Sequence, residues 1–85
     1  MITPEEFAHR LRDARHIRGM SQEELADRIK ISPNLIIKYE GGKELPRMDF
    51  LEAMAEVLNA DLEYLFGRQD MLVRAESIEA EVHHV

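Results

Sequence analysis

The sequence predicts an all-α domain, a compact bundle of five short helices followed by a helical tail. Three observations carry that expectation. Apolar residues recur at spacings of three and four along most of the chain, the signature of helices with one buried face. Ser or Thr stands before each of the first three such segments, with Pro or Glu behind it as at a helix start: Thr3-Pro4-Glu5-Glu6, Ser21-Gln22-Glu23-Glu24 and Ser32-Pro33. Glycine, asparagine or proline then separates the segments, at Gly19, Gly41-Gly42, Pro46, Asn59 and Gly67.

The first helix is expected from about Pro4 to Arg18. Thr3 and Glu6 form a capping box, Phe7, Leu11, Ala14 and Ile17 supply an apolar stripe, and Gly19 ends it. The second helix opens at Ser21, which pairs with Glu24 in another capping box, and turns Leu25, Ala26 and Ile29 inward. A third begins at Ser32-Pro33, carries Leu35, Ile36 and Tyr39, and stops at Glu40, before a loop over 41–46. The fourth spans about Met48 to Leu58 on Leu51, Met54, Ala55 and Leu58, with Asn59 suited to a left-handed cap. Asp61 caps a short fifth helix through Leu62, Leu65 and Phe66, closed by Gly67. The expected division is therefore a domain over 1–67 and a tail over 68–85. In the tail Met71, Ala75, Ile78 and Val82 recur at four, three and four, a narrow seam of coiled-coil type.

Composition narrows the function classes. With 85 residues there is room for one domain, and 45% hydrophobic with 33% charged residues describes a folded globular chain rather than a disordered one. The absence of cysteine excludes disulfides and thiolate metal sites. No run approaches the ~18 apolar residues of a membrane span, and the start of the chain lacks a signal pattern, so a cytoplasmic chain without a membrane partner is expected. The net charge of −6 is unevenly spread. Residues 10–47 hold nine Lys/Arg against six acids, whereas 48–85 hold two against nine. The first half is mildly basic and the rear acidic, and screening beyond ~10 Å at 0.1 M salt makes the local sign the relevant one.

Chemistry-bearing clusters are sparse. His9, Asp13 and His16 share one side of the first helix, but their number and spacing fall short of a zinc motif, and they read as solvated surface. His83-His84 is a weak metal signal. No nucleophile–base pair, phosphate-cradling glycine loop or carboxylate pair emerges, and a domain this small leaves little room for a pocket. Neither an enzyme nor a cofactor or metal is expected.

Two short helices separated by about three residues suggest a helix-turn-helix. The run from Met20 to Gly42 resembles the lambda Cro/434 repressor family, also called the XRE family. The matching residues are Ser21-Gln22, Leu25-Ala26, Ile31-Ser32, Ile36, Tyr39-Glu40 and Gly42, and the likeness continues through Pro46, Leu51, Ala55, Leu58, Leu62 and Leu65-Phe66. In such a scaffold Ala26 permits the crossing of the second and third helices, while Ile31 and Ile36 bury the turn and the inner face.

The resemblance implies a regulator that places its third helix in the major groove of double-stranded DNA. Base contacts then fall to Ser32, Pro33, Asn34, Ile37 and Lys38. Asn34 suits adenine, Lys38 suits guanine or a phosphate, and Ile37 or Pro33 can meet a thymine methyl. Gln22 matches a glutamine that touches the DNA backbone, and Lys43 and Arg47 match a basic loop that grips phosphates. Arg10, Arg18 and Lys30 are weaker candidates. The chain departs from the pattern at Lys30, where glycine is usual, and at Pro33, Leu35 and Ile37, where polar residues are common.

One such helix reads about four to six base pairs, so two subunits ~34 Å apart on a palindrome are expected: a homodimeric repressor. Leu65, Phe66 and the seam Met71, Ala75, Ile78 and Val82 are candidates for the interface. The seam equally suits packing on its own first and fifth helices. The alternative reading is a protein-interaction module whose acidic rear and tail bind a partner such as a toxin.

Overall fold

The computed structural model describes residues 2–67. The expected tail seam at Met71, Ala75, Ile78 and Val82, and His83-His84, lie outside the described residues. Helix α1 spans Pro4–Ile17, α2 Gln22–Ile29, α3 Pro33–Glu40, α4 Met48–Leu58 and α5 Leu62–Phe66. All but α4 start at a residue whose side chain accepts from a first-turn N–H group. The Thr3 hydroxyl accepts from the Glu6 amide at 3.1 Å, and the Glu6 carboxylate accepts from the Thr3 amide at 3.4 Å. Ser21 and Glu24 repeat the exchange at 3.0 and 2.8 Å. Ser32 Oγ accepts from the Asn34 amide at 3.1 Å, and an Asp61 carboxylate oxygen from the Glu63 amide at 2.7 Å. Arg18, expected as the last residue of α1, proves to be its C-cap.

The helix ends are closed by crossed backbone bonds around a left-handed residue. After α3 that residue is Gly42, at φ 75°. Its N–H donates to the Tyr39 carbonyl, and the N–H of Lys43 donates to that of Lys38. The same crossed pair closes α2, where Lys30 donates to Asp27 and Ile31 to Ala26. Here the left-handed residue is Lys30 itself, at φ 64°, so the departure noted in the sequence is absorbed by strain rather than by a differently shaped turn.

Packing follows from these ends. Helix α1 lies against α3 and α5, α2 against α3 and α4, and α4 against α5. Phe7, Leu11, Leu25, Ile36, Met54, Leu58 and Leu65 are sealed from solvent, and Phe7 meets Tyr39 edge-on with ring centroids 6.4 Å apart. Ala26 is fully buried in α2, and Ile31 in the turn is half-buried against the core.

One stripe residue departs from expectation: Ile17 is 65% exposed. At about 100° per residue it lies roughly 120° from the centre of the buried face of α1 set by Phe7, Ala8, Leu11, Ala14 and Arg15. Spacing by three from Ala14 carried it off the face. Arg15, seven residues after Ala8 and four after Leu11, takes the inward position instead.

Candidate nucleic-acid interface

Helix α3 has two unlike sides. Ile36, Tyr39 and Glu40 are buried and Leu35 is half-buried, whereas Ser32, Pro33, Asn34, Ile37 and Lys38 are all exposed. The five expected base-contacting residues thus share one outer surface, because the buried side is set by Ile36 and Tyr39 three residues apart. Ser32 serves the helix as well as the surface. One lone pair receives the Asn34 amide, and the hydroxyl proton remains available to donate. An α-helix with its side chains is about 10–12 Å across, a diameter that the ~12 Å major groove admits.

Gln22, half-buried in the first turn of α2, is held by a polar network that joins three helices. Its Nε2 donates to Glu40 Oε1 at 3.0 Å. Glu40, 5% exposed, also receives Arg15 through a two-pronged ion pair, Nε to Oε2 at 2.6 Å and Nη2 to Oε1 at 2.9 Å. Arg15 Nη1 donates onward to the Met20 carbonyl at 2.8 Å. The bond to Glu40 keeps the Arg15 guanidinium charged, raising its pKa above the ordinary arginine value against the opposing effect of burial. No buried side-chain nitrogen or oxygen among the described residues lacks a partner. Gln22 therefore keeps its second amide hydrogen and its oxygen for an external contact.

The basic residues divide by task, which the sequence did not reveal. Arg12 donates to the Glu40 carbonyl at 2.6 Å, Arg10 to that of Tyr64 at 2.7 Å, and Arg18 to that of Leu58 at 2.7 Å. Arginines on α1 thus satisfy carbonyls at the C-termini of α3, α5 and α4. Arg10 also lies 4.8 Å from the Tyr64 ring centroid. Arg47 sits over Phe50 at 4.7 Å and is bound by both oxygens of Asp49, at 2.8 and 2.6 Å. That pairing holds the Asp49 carboxyl at about 2, well below its ordinary value. Lys43, by contrast, is exposed in the loop that Gly42 turns back from α3.

The remaining candidates fall elsewhere. Leu65 is sealed in the core of its own protomer, and Phe66 is half-buried at the edge. His9 and Asp13 form an exposed contact at 3.6 Å, and the described residues contain no group of three side chains able to hold a metal. No described helix is long and apolar enough to cross a membrane.

A bundle that presents the second helix of a helix-turn-helix, with polar and basic residues around it, defines a DNA-binding domain. The chain belongs to the helix-turn-helix domain family, whose model matches residues 6–65, and within it to the XRE-like group. Over 72 residues it is 28% identical to the HTH-type transcriptional activator BcrR of Enterococcus faecalis, covering 85% of this chain and 35% of that protein. It is 41% identical over 49 residues to the 26 kDa repressor protein of Escherichia phage HK022, covering 58% of this chain and 21% of the repressor. The chain thus spans between a fifth and about a third of these relatives. The crystal structure of the restriction-modification controller protein C.AhdI from Aeromonas hydrophila superposes with a TM-score of 0.69 at 27% identity, over 74% of this chain and 96% of that one. These likenesses mark residues 6–65 as a helix-turn-helix domain of the kind found in transcriptional regulators.

Proposed function

We propose that the chain is a repressor that binds a palindromic operator as a homodimer, with α3 of each subunit in the major groove. The observation that carries this reading is the outer surface of α3, where Ser32, Pro33, Asn34, Ile37 and Lys38 stand exposed together opposite a buried face. Gln22 and Lys43 flank α3 in sequence and suit the neighbouring phosphates, Gln22 as an oriented amide and Lys43 as a charge. Two copies are invoked because a single recognition helix covers too few base pairs to be selective, and two half-sites one helical turn apart restore discrimination. Phe66 and the tail seam are the residues proposed to join the copies.

The test is a binding selection with purified protein on fragments of its own genome, at two salt concentrations. Enrichment of a palindrome near a promoter supports the reading and gives the operator. Enrichment of nothing, even at low salt, would overturn it and turn attention to a protein partner of the acidic rear.

A further inference from the structure

The outer surface of α3 is two rows rather than one. Residues four apart on a helix lie one above the other. Pro33 and Ile37 therefore form an apolar row, and Asn34 and Lys38 a polar row beside it, all four exposed. Ile37 is 49% exposed while its neighbour Ile36 is completely buried, so Ile37 makes no contribution to the core that would explain it. Among the described residues the other large hydrophobics with comparable exposure are Ile17, at the end of α1, and Met48, at the start of α4. Of these three, Ile37 is the one on α3, beside the exposed Asn34 and Lys38.

The major groove answers such a row with one apolar group, the C5-methyl of thymine; its other features there are hydrogen-bonding atoms. Cytosine carries a hydrogen at that position, and 5-methylcytosine restores the methyl. Resting on the proposed seating of α3 in the groove, we infer that Pro33 and Ile37 select pyrimidine 5-methyl groups while Asn34 and Lys38 read purine edges. The two apolar side chains are about 6 Å apart along the helix, or roughly two base-pair steps. The half-site should accordingly carry methylated pyrimidines about two positions apart, and methylation of a cytosine there should substitute for thymine.

Thymine-to-uracil exchange isolates the methyl because every hydrogen-bonding atom is kept. Each operator thymine is replaced singly by uracil, and affinity is measured for the full chain and for Ile37→Ala, Pro33→Ala and Asn34→Ala. One or two positions per half-site should lose about four-fold, the equivalent of a buried methyl(ene) at ~0.8 kcal/mol. At one of them the loss should vanish in Ile37→Ala or Pro33→Ala and persist in Asn34→Ala. These side chains are exposed, so thermal melting should show each variant folded. Indifference to uracil at every position, or a penalty unchanged in both apolar variants, overturns the inference while leaving DNA binding standing. Failure to obtain any operator overturns both.

Discussion

At the scale of single residues, two positions carry most of the information. Lys30 holds φ 64° with its side chain exposed, so its left-handed backbone is strain with no compensating packing. Lys30→Gly should stabilise the domain by about 1 kcal/mol, read as a higher urea midpoint. This site was legible in advance, because the turn chemistry demands glycine and the sequence shows lysine. The state of Arg47 was not. Its basic character and loop position suggested a phosphate contact, but Asp49 two residues on engages it with both oxygens. Since the Asp49 carboxyl is held at about 2, it stays ionised at any pH useful for DNA binding. The pairing itself is lost only as pH falls through that value. Asp49→Asn should therefore tighten binding to all DNA several-fold and steepen its salt dependence, with no change in sequence preference. An unchanged affinity would remove Arg47 from the interface. For base reading, Asn34→Ala should cost about 1–3 kcal/mol on the best site and relax one position. Equal losses on operator and random DNA would show that Asn34 reads no base.

Among elements, the ends of helices were readable and the ties between them were not. Capping boxes at Thr3 and Ser21 join residues three apart, so both partners fall within one glance at the sequence. The Arg15–Glu40 pair spans 25 positions and depends on α1 meeting α3, which no local pattern encodes. Its only trace was the periodicity of α1, which puts Arg15 within the buried face and Ile17 outside it. The pair joins α1 to the last turn of α3 and holds Gln22 at the start of α2, so it fixes the relative placement of both halves of the helix-turn-helix. Removing one partner leaves a desolvated charge behind. Glu40→Ala should thus cost about 3–5 kcal/mol of stability by chemical denaturation. Arg15→Met combined with Glu40→Leu should cost far less than the sum of the single changes, since no buried charge is then left without a partner. Additive losses in that pair would mean that the two side chains matter separately.

For the molecule as a whole, the question is how a chain of net charge −6 approaches a polyanion. Counting cations along the sequence overstates its means. Of the nine Lys/Arg between residues 10 and 47, Arg10, Arg12, Arg15 and Arg18 cap or brace helices and Arg47 is paired with Asp49. On the surface proposed to meet DNA, Lys38 and Lys43 are left as the exposed cations clear of an ion pair. With two lysines per subunit brought against the polyanion, Lys43 at a phosphate and Lys38 within the groove, and about 0.9 counterions released for each, a dimer should show a log–log salt slope near −4. Lys43→Ala should flatten that slope by about one unit per altered subunit and weaken operator and random DNA alike. Arg12→Ala and Arg18→Ala should lower the melting temperature and leave the slope alone, because their guanidinium groups are tied to carbonyls at the ends of α3 and α4. A measured slope near −10 would mean that the α1 arginines let go of those carbonyls on binding, and the domain would then have to loosen in order to hold DNA. A slope near −4 instead places the burden of selectivity on the surface of α3, where hydrogen bonds and apolar contacts are insensitive to salt.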